Sequence, residues 1–248
     1  MDILNGARSL SEISAVNAIK FPTEAHKAFI EFITQICRER SITALLKGSL
    51  VKGTAKKYSD IDIILLGRNI SSYFDAIAGA YDGILLSEHF TSMSTYMIVY
   101  VNGLTVEYDI RKSITKEDIE EACVLSVGDY TLSDIRRDRL LIDSRLCPNR
   151  DKNYSQLMIA QMCCTKLLCQ KATLARDIYY DRMKLLSDGQ EFYVGLDLSA
   201  IYTESYTQFV NRIKQMAYTT TACSKAIKEY LNYLFSNIQI ESEGFADV

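Results

Sequence analysis

Apolar positions in the first part of the chain switch between the spacing of helices and that of strands. Phe29, Ile33 and Ile36 recur at helical spacing after Thr23, which can cap the first turn. Runs of apolar residues bounded by turn residues then alternate with shorter helical patterns. The patterns predict strands near 43–47, 60–66, 83–89, 95–101, 104–111 and 139–143, and helices near 70–80 and 115–123.

Beyond residue 153 the pattern becomes mainly helical. Long helices are predicted near 153–187, 197–217 and 220–237. A polar stretch that contains Pro148 separates the two patterns, and such stretches are typical of domain boundaries. We therefore expect an α+β domain over 1–147, a helical bundle domain over 151–238 and a frayed acidic tail over 239–248.

Composition fits a folded protein with one or two cores. The 248 residues are 48% hydrophobic and 24% charged, and the net charge of -3 argues against a broad nucleic-acid surface, which needs a basic face. Seven cysteines without metal-type spacing indicate reduced thiols, and no apolar run approaches the roughly 18 residues of a membrane span. We expect a cytoplasmic protein. His26 and His89 lie far apart in sequence, so structural roles are expected for both.

The strand predicted near 60–66 begins with two carboxylates. Side chains alternate in a strand, so Asp60 and Asp62 share one face with Cα atoms roughly 6.6 Å apart, while Ile61 and Ile63 face the core. Two close carboxylates repel each other, and divalent cations remove that cost. Such a pair can hold two Mg²⁺ ions about 3.5 to 4 Å apart, as in-line displacement at phosphorus requires.

A small-residue turn precedes this strand. Gly48 lets the backbone approach a phosphate closely, and Ser49 adds a hydroxyl at the start of a short predicted helix. The sequence therefore predicts a phosphate cradle beside two metal-binding carboxylates.

The Gly-Ser turn followed by Ser59-Asp60-Ile61-Asp62 resembles the signature of the DNA polymerase β-like nucleotidyltransferase superfamily. The resemblance implies a nucleotidyltransferase-type mixed sheet flanked by helices. It also implies an enzyme that uses Mg²⁺ or Mn²⁺ to move a nucleoside monophosphate from a nucleoside triphosphate to an acceptor hydroxyl, with release of pyrophosphate. By this resemblance Asp60 and Asp62 bind metal, and Gly48 and Ser49 bind the triphosphate.

The superfamily also implies a third carboxylate on a neighbouring strand. Two candidates, Glu107 and Asp109, share one face of the strand that follows the Asn102-Gly103 hairpin signal. We favour Asp109, which is flanked by apolar residues in the pattern that the resemblance implies, as the third catalytic and metal-binding residue. Glu107 stays open as the alternative.

The helical half offers one further candidate. Lys166, followed by an Arg176-Asp177 pair, weakly resembles a helix of abortive-infection-type nucleotidyltransferase toxins, in which a lysine meets the triphosphate. The resemblance implies that Lys166 helps to bind the nucleotide.

The sequence leaves open the acceptor, the preferred base, the oligomeric state and membership of a toxin–antitoxin pair. The acidic net charge favours a small-molecule or protein acceptor over RNA. The alternative hypothesis is a non-catalytic, antitoxin-like binding module that contacts a partner protein through its helical half. An intact set of three carboxylates argues against this alternative.

Overall fold

The computed structural model describes residues 19–90, 95–135, 137–148, 152–187, 198–220 and 223–238. The chain divides into two compact units, Met1–Asn149 and Arg150–Val248. The predicted acidic tail lies outside the described residues. Within the described ranges, no helix combines the length and the apolar character that a membrane crossing requires. All seven cysteines are free thiols, as predicted.

The first unit is built on a six-stranded mixed sheet. The strands are β1 Thr43–Lys47, β2 Ile61–Leu66, β3 Ile84–Phe90, β4 Thr95–Tyr100, β5 Thr105–Ile110 and β6 Cys123–Ser126. Their order across the sheet is β3-β4-β5-β2-β1-β6, and β2 and β5 run parallel while the other neighbours are antiparallel. The helices of this unit are α1 Glu24–Glu39, α2 Gly48–Val51, α3 Ile70–Ala78 and α4 Lys116–Glu120. The predicted α+β class and mixed sheet are confirmed.

One face of the sheet carries the main hydrophobic core. Phe29 and Ile33 of α1 and Phe74 of α3 are completely buried against it. The alternation of β2 places Ile61 and Ile63 in this core, as predicted. Consequently Asp62, between them, lies on the opposite face.

A smaller apolar cluster covers part of that opposite face. Ile119 of α4 packs there with Leu45 of β1 and with Ile64 and Leu66 of β2. A capping box at Thr115 starts α4 and fixes its direction. Nearer the start of β2, the side chains on this face are polar.

Two sequence predictions for this unit need correction. Residues 139–143 do not form a strand, because Arg139 makes only an isolated bridge with Arg111. The sheet instead gains β6, which pairs with the free edge of β1 across a bulge. Strand β6 is short and follows a helical pattern directly, so its sequence carries little period-2 signal.

The second unit is helical, as predicted. Its helices are α5 Lys152–Leu168, α6 Ala172–Ser187, α7 Tyr206–Thr219 and α8 Lys225–Asn237, with a 3₁₀ turn at Leu198–Tyr202. Helix α5 packs against α6, α7 and α8. The helix predicted over 153–187 is broken, because Gln170 takes a positive φ of 60° and the Lys171 N–H bonds back to the Lys166 carbonyl.

Candidate active site

Strands β2 and β5 bring three carboxylates together. Asp62 pairs with Glu107 in the parallel register, and Asp60 directly precedes β2. One oxygen from each of Asp60, Asp62 and Glu107 lies within 4.8 Å of the others, and all three residues are partly exposed. Carboxylate oxygens are the ligands that Mg²⁺ and Mn²⁺ prefer, so this cluster has the donor set of a hard-cation site.

Asp109 lies on the same face as Glu107 but two residues further along the strand, opposite Ile64. Its Oδ2 accepts hydrogen bonds from Arg111 Nε at 2.9 Å and from Arg111 Nη2 at 2.6 Å. Arg139 Nε lies 3.3 Å from the other oxygen of the same carboxylate. The structure therefore places Glu107, rather than the favoured Asp109, beside Asp60 and Asp62.

A buried ion network borders the carboxylate cluster. Arg111 joins Asp109 to Asp118, whose Oδ2 lies 2.7 Å from Arg111 Nη1. Lys47, which pairs with Asp62 across β1 and β2, donates to the other Asp118 oxygen at 3.0 Å. The chain of contacts runs from Lys47 through Asp118 and Arg111 to Asp109.

The network sets the charge state of its central carboxylate. Burial alone would raise the pKa of Asp118, but hydrogen bonds from the Thr115 backbone and Lys47 and the charge of Arg111 outweigh burial and lower this pKa to about 2. Burial alone would lower the pKa of Arg111, but the contacts with the carboxylates of Asp109 and Asp118 outweigh burial and raise this pKa. Sequence reasoning missed this network, although Arg111 lies two residues after Asp109 and therefore on its face.

The Gly-Ser turn lies against the carboxylate of Asp62. Gly48 has a φ of +74°, a conformation that favours glycine, and a Cβ placed on it would lie 1.8 Å from Oδ2 of Asp62. Only a residue without a side chain fits there.

Ser49 follows Gly48 in the short helix α2. Its Oγ is buried, and it has no hydrogen-bond partner among the described residues. A buried hydroxyl without a partner is costly, so this atom suits a ligand that brings an acceptor oxygen. The structure thus brings Gly48 against Asp62, with Ser49 as the next residue of the chain, and the phosphate-binding role of both stays a prediction.

His26 supports the approach to β2 from the core side. The ring is buried, its Nε2 lies 3.0 Å from the Ser59 carbonyl oxygen, and its Nδ1 lies 2.7 Å from Thr23 Oγ1. Burial lowers the pKa of His26 and outweighs the raising effects of the Ser59 carbonyl and the Asp60 charge. This structural role agrees with the expectation from the sequence.

Lys166 lies in the last turn of α5, in the second unit, with a half-buried side chain. Arg176, its neighbour in the weak resemblance, donates to the carbonyls of Ile201 and Glu204 within the same unit. Arg176 thereby anchors the segment around the 3₁₀ turn.

Part of the chain matches a known family model. Residues 30–141 match the family model of the nucleotidyltransferase domain. No curated protein matches the sequence of this chain.

Three solved structures are similar over most of the chain. A STING-associated CdnE c-di-GMP synthase from Capnocytophaga granulosa is 12% identical, over 91% of this chain and 79% of that one, with a TM-score of 0.28. A tRNA nucleotidyltransferase solved with a primer tRNA and an ATP analogue is 14% identical over 86% of this chain, with a TM-score of 0.28. A tRNA-processing enzyme in an apo form has the same identity, coverage and TM-score.

This chain spans 64% and 61% of the length of the latter two proteins. All three TM-scores are far below 0.5, so the link to known proteins rests on the family-model match over residues 30–141 and not on these structures. The matched residues 30–141 contain the Gly-Ser turn, the acidic start of β2 and the acidic strand β5, which are the features that carry the resemblance of the sequence.

Proposed function

We propose that this protein is a metal-dependent nucleotidyltransferase that moves a nucleoside monophosphate from a nucleoside triphosphate to an acceptor hydroxyl. The observation that carries the proposal is the convergence of Asp60, Asp62 and Glu107 within 4.8 Å, next to the Gly-Ser turn. In the reaction the hydroxyl oxygen of the acceptor forms a bond to the α-phosphorus, and the hydroxyl proton passes to solvent. The bond from that phosphorus to the bridging oxygen breaks, and pyrophosphate leaves with the electron pair.

The three carboxylates would hold Mg²⁺ or Mn²⁺. Bound cations would neutralise the charge that develops on the phosphate oxygens. Asp60 and Asp62 would provide two of the ligands, the role that the resemblance of the sequence implies for them. Glu107 takes the third place because its register brings it opposite Asp62, whereas Asp109 is already engaged by Arg111 and Arg139.

The Gly-Ser turn would receive the triphosphate. Ser49 Oγ is a buried donor that gains a partner when a phosphate oxygen arrives. Gly48 carries no Cβ, and this lets the Asp62 carboxylate lie directly against the turn that carries Ser49. These two residues bind and orient the nucleotide, and positioning supplies much of the rate in phosphoryl and nucleotidyl transfer.

The acceptor is proposed to be a small molecule or a protein side chain. The net charge of -3 supports this choice over RNA, since RNA binding usually depends on a basic surface. Lys166 is proposed as an additional contact of the nucleotide, on the basis of the weak resemblance alone. A cytoplasmic location is proposed from the composition of the chain.

Label transfer tests the proposal. The wild type is incubated with Mg²⁺ or Mn²⁺, with each of the four α-labelled ribonucleoside triphosphates, and with cell extract and defined hydroxyl acceptors. We expect labelled product with the wild type and with Glu31→Gln, which removes an exposed carboxylate of α1. We expect none with Glu107→Gln. Equal transfer by wild type and Glu107→Gln would contradict the proposed set of carboxylates.

A further inference from the structure

His26 contacts the peptide that leads into the carboxylate cluster. It lies in the first turn of α1, is 2% exposed, and reaches Ser59, 33 residues away, with an Nε2 to carbonyl oxygen distance of 3.0 Å. Ser59 is the residue directly before Asp60. A residue of the core helix therefore contacts the backbone beside a proposed metal ligand.

The contacts of the ring define its tautomer. A carbonyl oxygen can only accept, so Nε2 must carry the proton that it donates to Ser59. In the neutral ring, Nδ1 then accepts from the hydroxyl of Thr23, at 2.7 Å. The Thr23 oxygen in turn accepts the backbone N–H of His26. Both ring nitrogens are thus used, and Thr23 holds the ring in the orientation that reaches Ser59.

Hydrogen bonds hold the chain in place at Ser59. Its N–H bonds to the Lys56 carbonyl at 2.9 Å, and its Oγ accepts the Lys56 N–H at 2.9 Å. His26 holds the third group, the carbonyl. That carbonyl belongs to the planar peptide unit that ends at the Cα of Asp60, so its orientation restricts the directions in which Asp60 can carry its side chain.

We propose that His26 is a positioning residue for Asp60: its Nε2–H holds the Ser59–Asp60 peptide in the orientation that directs the Asp60 carboxylate towards Asp62 and Glu107. The inference rests on the proposed function, because the orientation of this peptide affects metal binding only if Asp60 is a metal ligand. The first two contacts of Ser59 close a local turn, whereas the His26 contact ties that turn to the core.

Substitutions at position 26 separate positioning from packing. His26→Leu removes the hydrogen-bond donor and replaces the ring with an apolar side chain of similar size. His26→Gln can present an amide N–H near the position of Nε2, whereas the shorter side chain of His26→Asn cannot reach Ser59. Phe29→Leu, one turn later on α1, loosens the same core without touching the peptide and serves as the control.

The first measurement is Mn²⁺ affinity, without nucleotide, well below the unfolding temperature. We expect His26→Leu and His26→Asn to bind Mn²⁺ about 10- to 100-fold more weakly than wild type, as loss of a supporting group does at other metal sites. We expect His26→Gln to retain most of the affinity, and Phe29→Leu to lower the melting temperature while keeping the affinity.

The second measurement is the ¹³C shift of the selectively labelled Ser59 carbonyl in metal-free protein. We expect the shift to be displaced in His26→Leu and His26→Asn and restored in His26→Gln. If a variant has a changed ¹³C shift of the Ser59 carbonyl but binds Mn²⁺ with wild-type affinity, the positioning role is overturned and the proposed metal site is not. A wild type that binds no Mn²⁺ would overturn the proposed metal site, and this inference with it. If His26→Leu does not fold, the comparison of the Asn and Gln variants decides in the same way.

Discussion

The carboxylate of Asp62 occupies the space that a side chain at Gly48 would need, since a Cβ there would lie 1.8 Å from Asp62 Oδ2. Gly48 directly follows β1 and Asp62 lies at the start of β2, and the two strands are antiparallel neighbours. The Gly-Ser turn and the acidic start of β2 are therefore in van der Waals contact through a glycine. A change at Gly48 must alter the position of Asp62.

We predict that Gly48→Ala abolishes both metal binding and transfer. The positive φ alone costs alanine about 1 to 2 kcal/mol, and the clash displaces the Asp62 carboxylate in addition. Gly53→Ala is a matched control, because Gly53 has a φ of +69° but a Cβ on it would meet no described atom within 4 Å. Urea unfolding with and without Mn²⁺ measures both effects. Retained Mn²⁺ stabilisation in Gly48→Ala would contradict the contact.

Metal binding should stabilise the folded protein. A cation at 100 times its Kd adds about 2.7 kcal/mol to the free energy of unfolding, provided that it binds only the folded state. We expect this gain with Mg²⁺ or Mn²⁺ in the wild type and its loss in the Asp60→Asn, Asp62→Asn double variant. Without metal, the double variant should be as stable as wild type or slightly more stable, because repulsion between the carboxylates is relieved. Thermal melts at matched ionic strength measure the gain.

The same melts distinguish Glu107 from Asp109. Glu107→Gln should lose the metal-dependent gain and leave the metal-free protein nearly unchanged. Asp109→Asn should keep the gain but lower metal-free stability by on the order of 2 kcal/mol, since the buried Arg111 loses a charged partner. The reverse pattern would assign the third place to Asp109, as the sequence pattern favoured.

The local patterns of the chain were informative because they depend on neighbouring residues. Period-2 alternation located β2 and placed Ile61 in the core, and Asn102-Gly103 marked the turn between β4 and β5. The register between β2 and β5, in contrast, does not depend on neighbouring residues. It joins segments more than 40 residues apart, and Glu107 and Asp109 share one face, so alternation alone could not choose between them.

Other features had no local signal at all. Gln170 ends α5 in a conformation that usually marks a glycine, and His26 reaches Ser59 only because α1 packs across the sheet. The Lys47–Asp118 contact likewise joins residues 71 positions apart. Tertiary packing, rather than propensity, creates these contacts.

The low pKa of Asp118 predicts a pH dependence of stability. Its pKa is lowered from 3.8 to about 2, so between these values the unfolded chain binds a proton that the folded chain does not. The stabilisation, about 2 kcal/mol, is complete at neutral pH and is lost as the pH falls below about 4 towards 2. Asp118→Asn should therefore be less stable than wild type at pH 7, and the difference should shrink on acidification. Unfolding by urea from pH 7 to pH 3 tests this, with the exposed Glu120→Gln of the same helix as the control.

Ser49 and Asp62 should affect different kinetic constants. Ser49 Oγ has no partner among the described residues, so Ser49→Ala breaks no hydrogen bond with them, and it should leave the free energy of unfolding unchanged or raise it slightly because a buried hydroxyl is removed. In the enzyme it should raise KM for the triphosphate roughly tenfold, the equivalent of one hydrogen bond to a charged group, with a small effect on kcat.

Asp62→Ala should instead lower kcat by several orders of magnitude in a folded protein, because the transition state depends on charge neutralisation by the cations that this carboxylate would hold. Initial rates of label transfer over a range of triphosphate concentrations separate KM from kcat for wild type and both variants. Equal losses of kcat in Ser49→Ala and Asp62→Ala would contradict the division between phosphate binding and metal binding. If the wild type transfers no label, yet wild type and Asp62→Ala bind the same partner protein with equal affinity, the chain acts as a binding module.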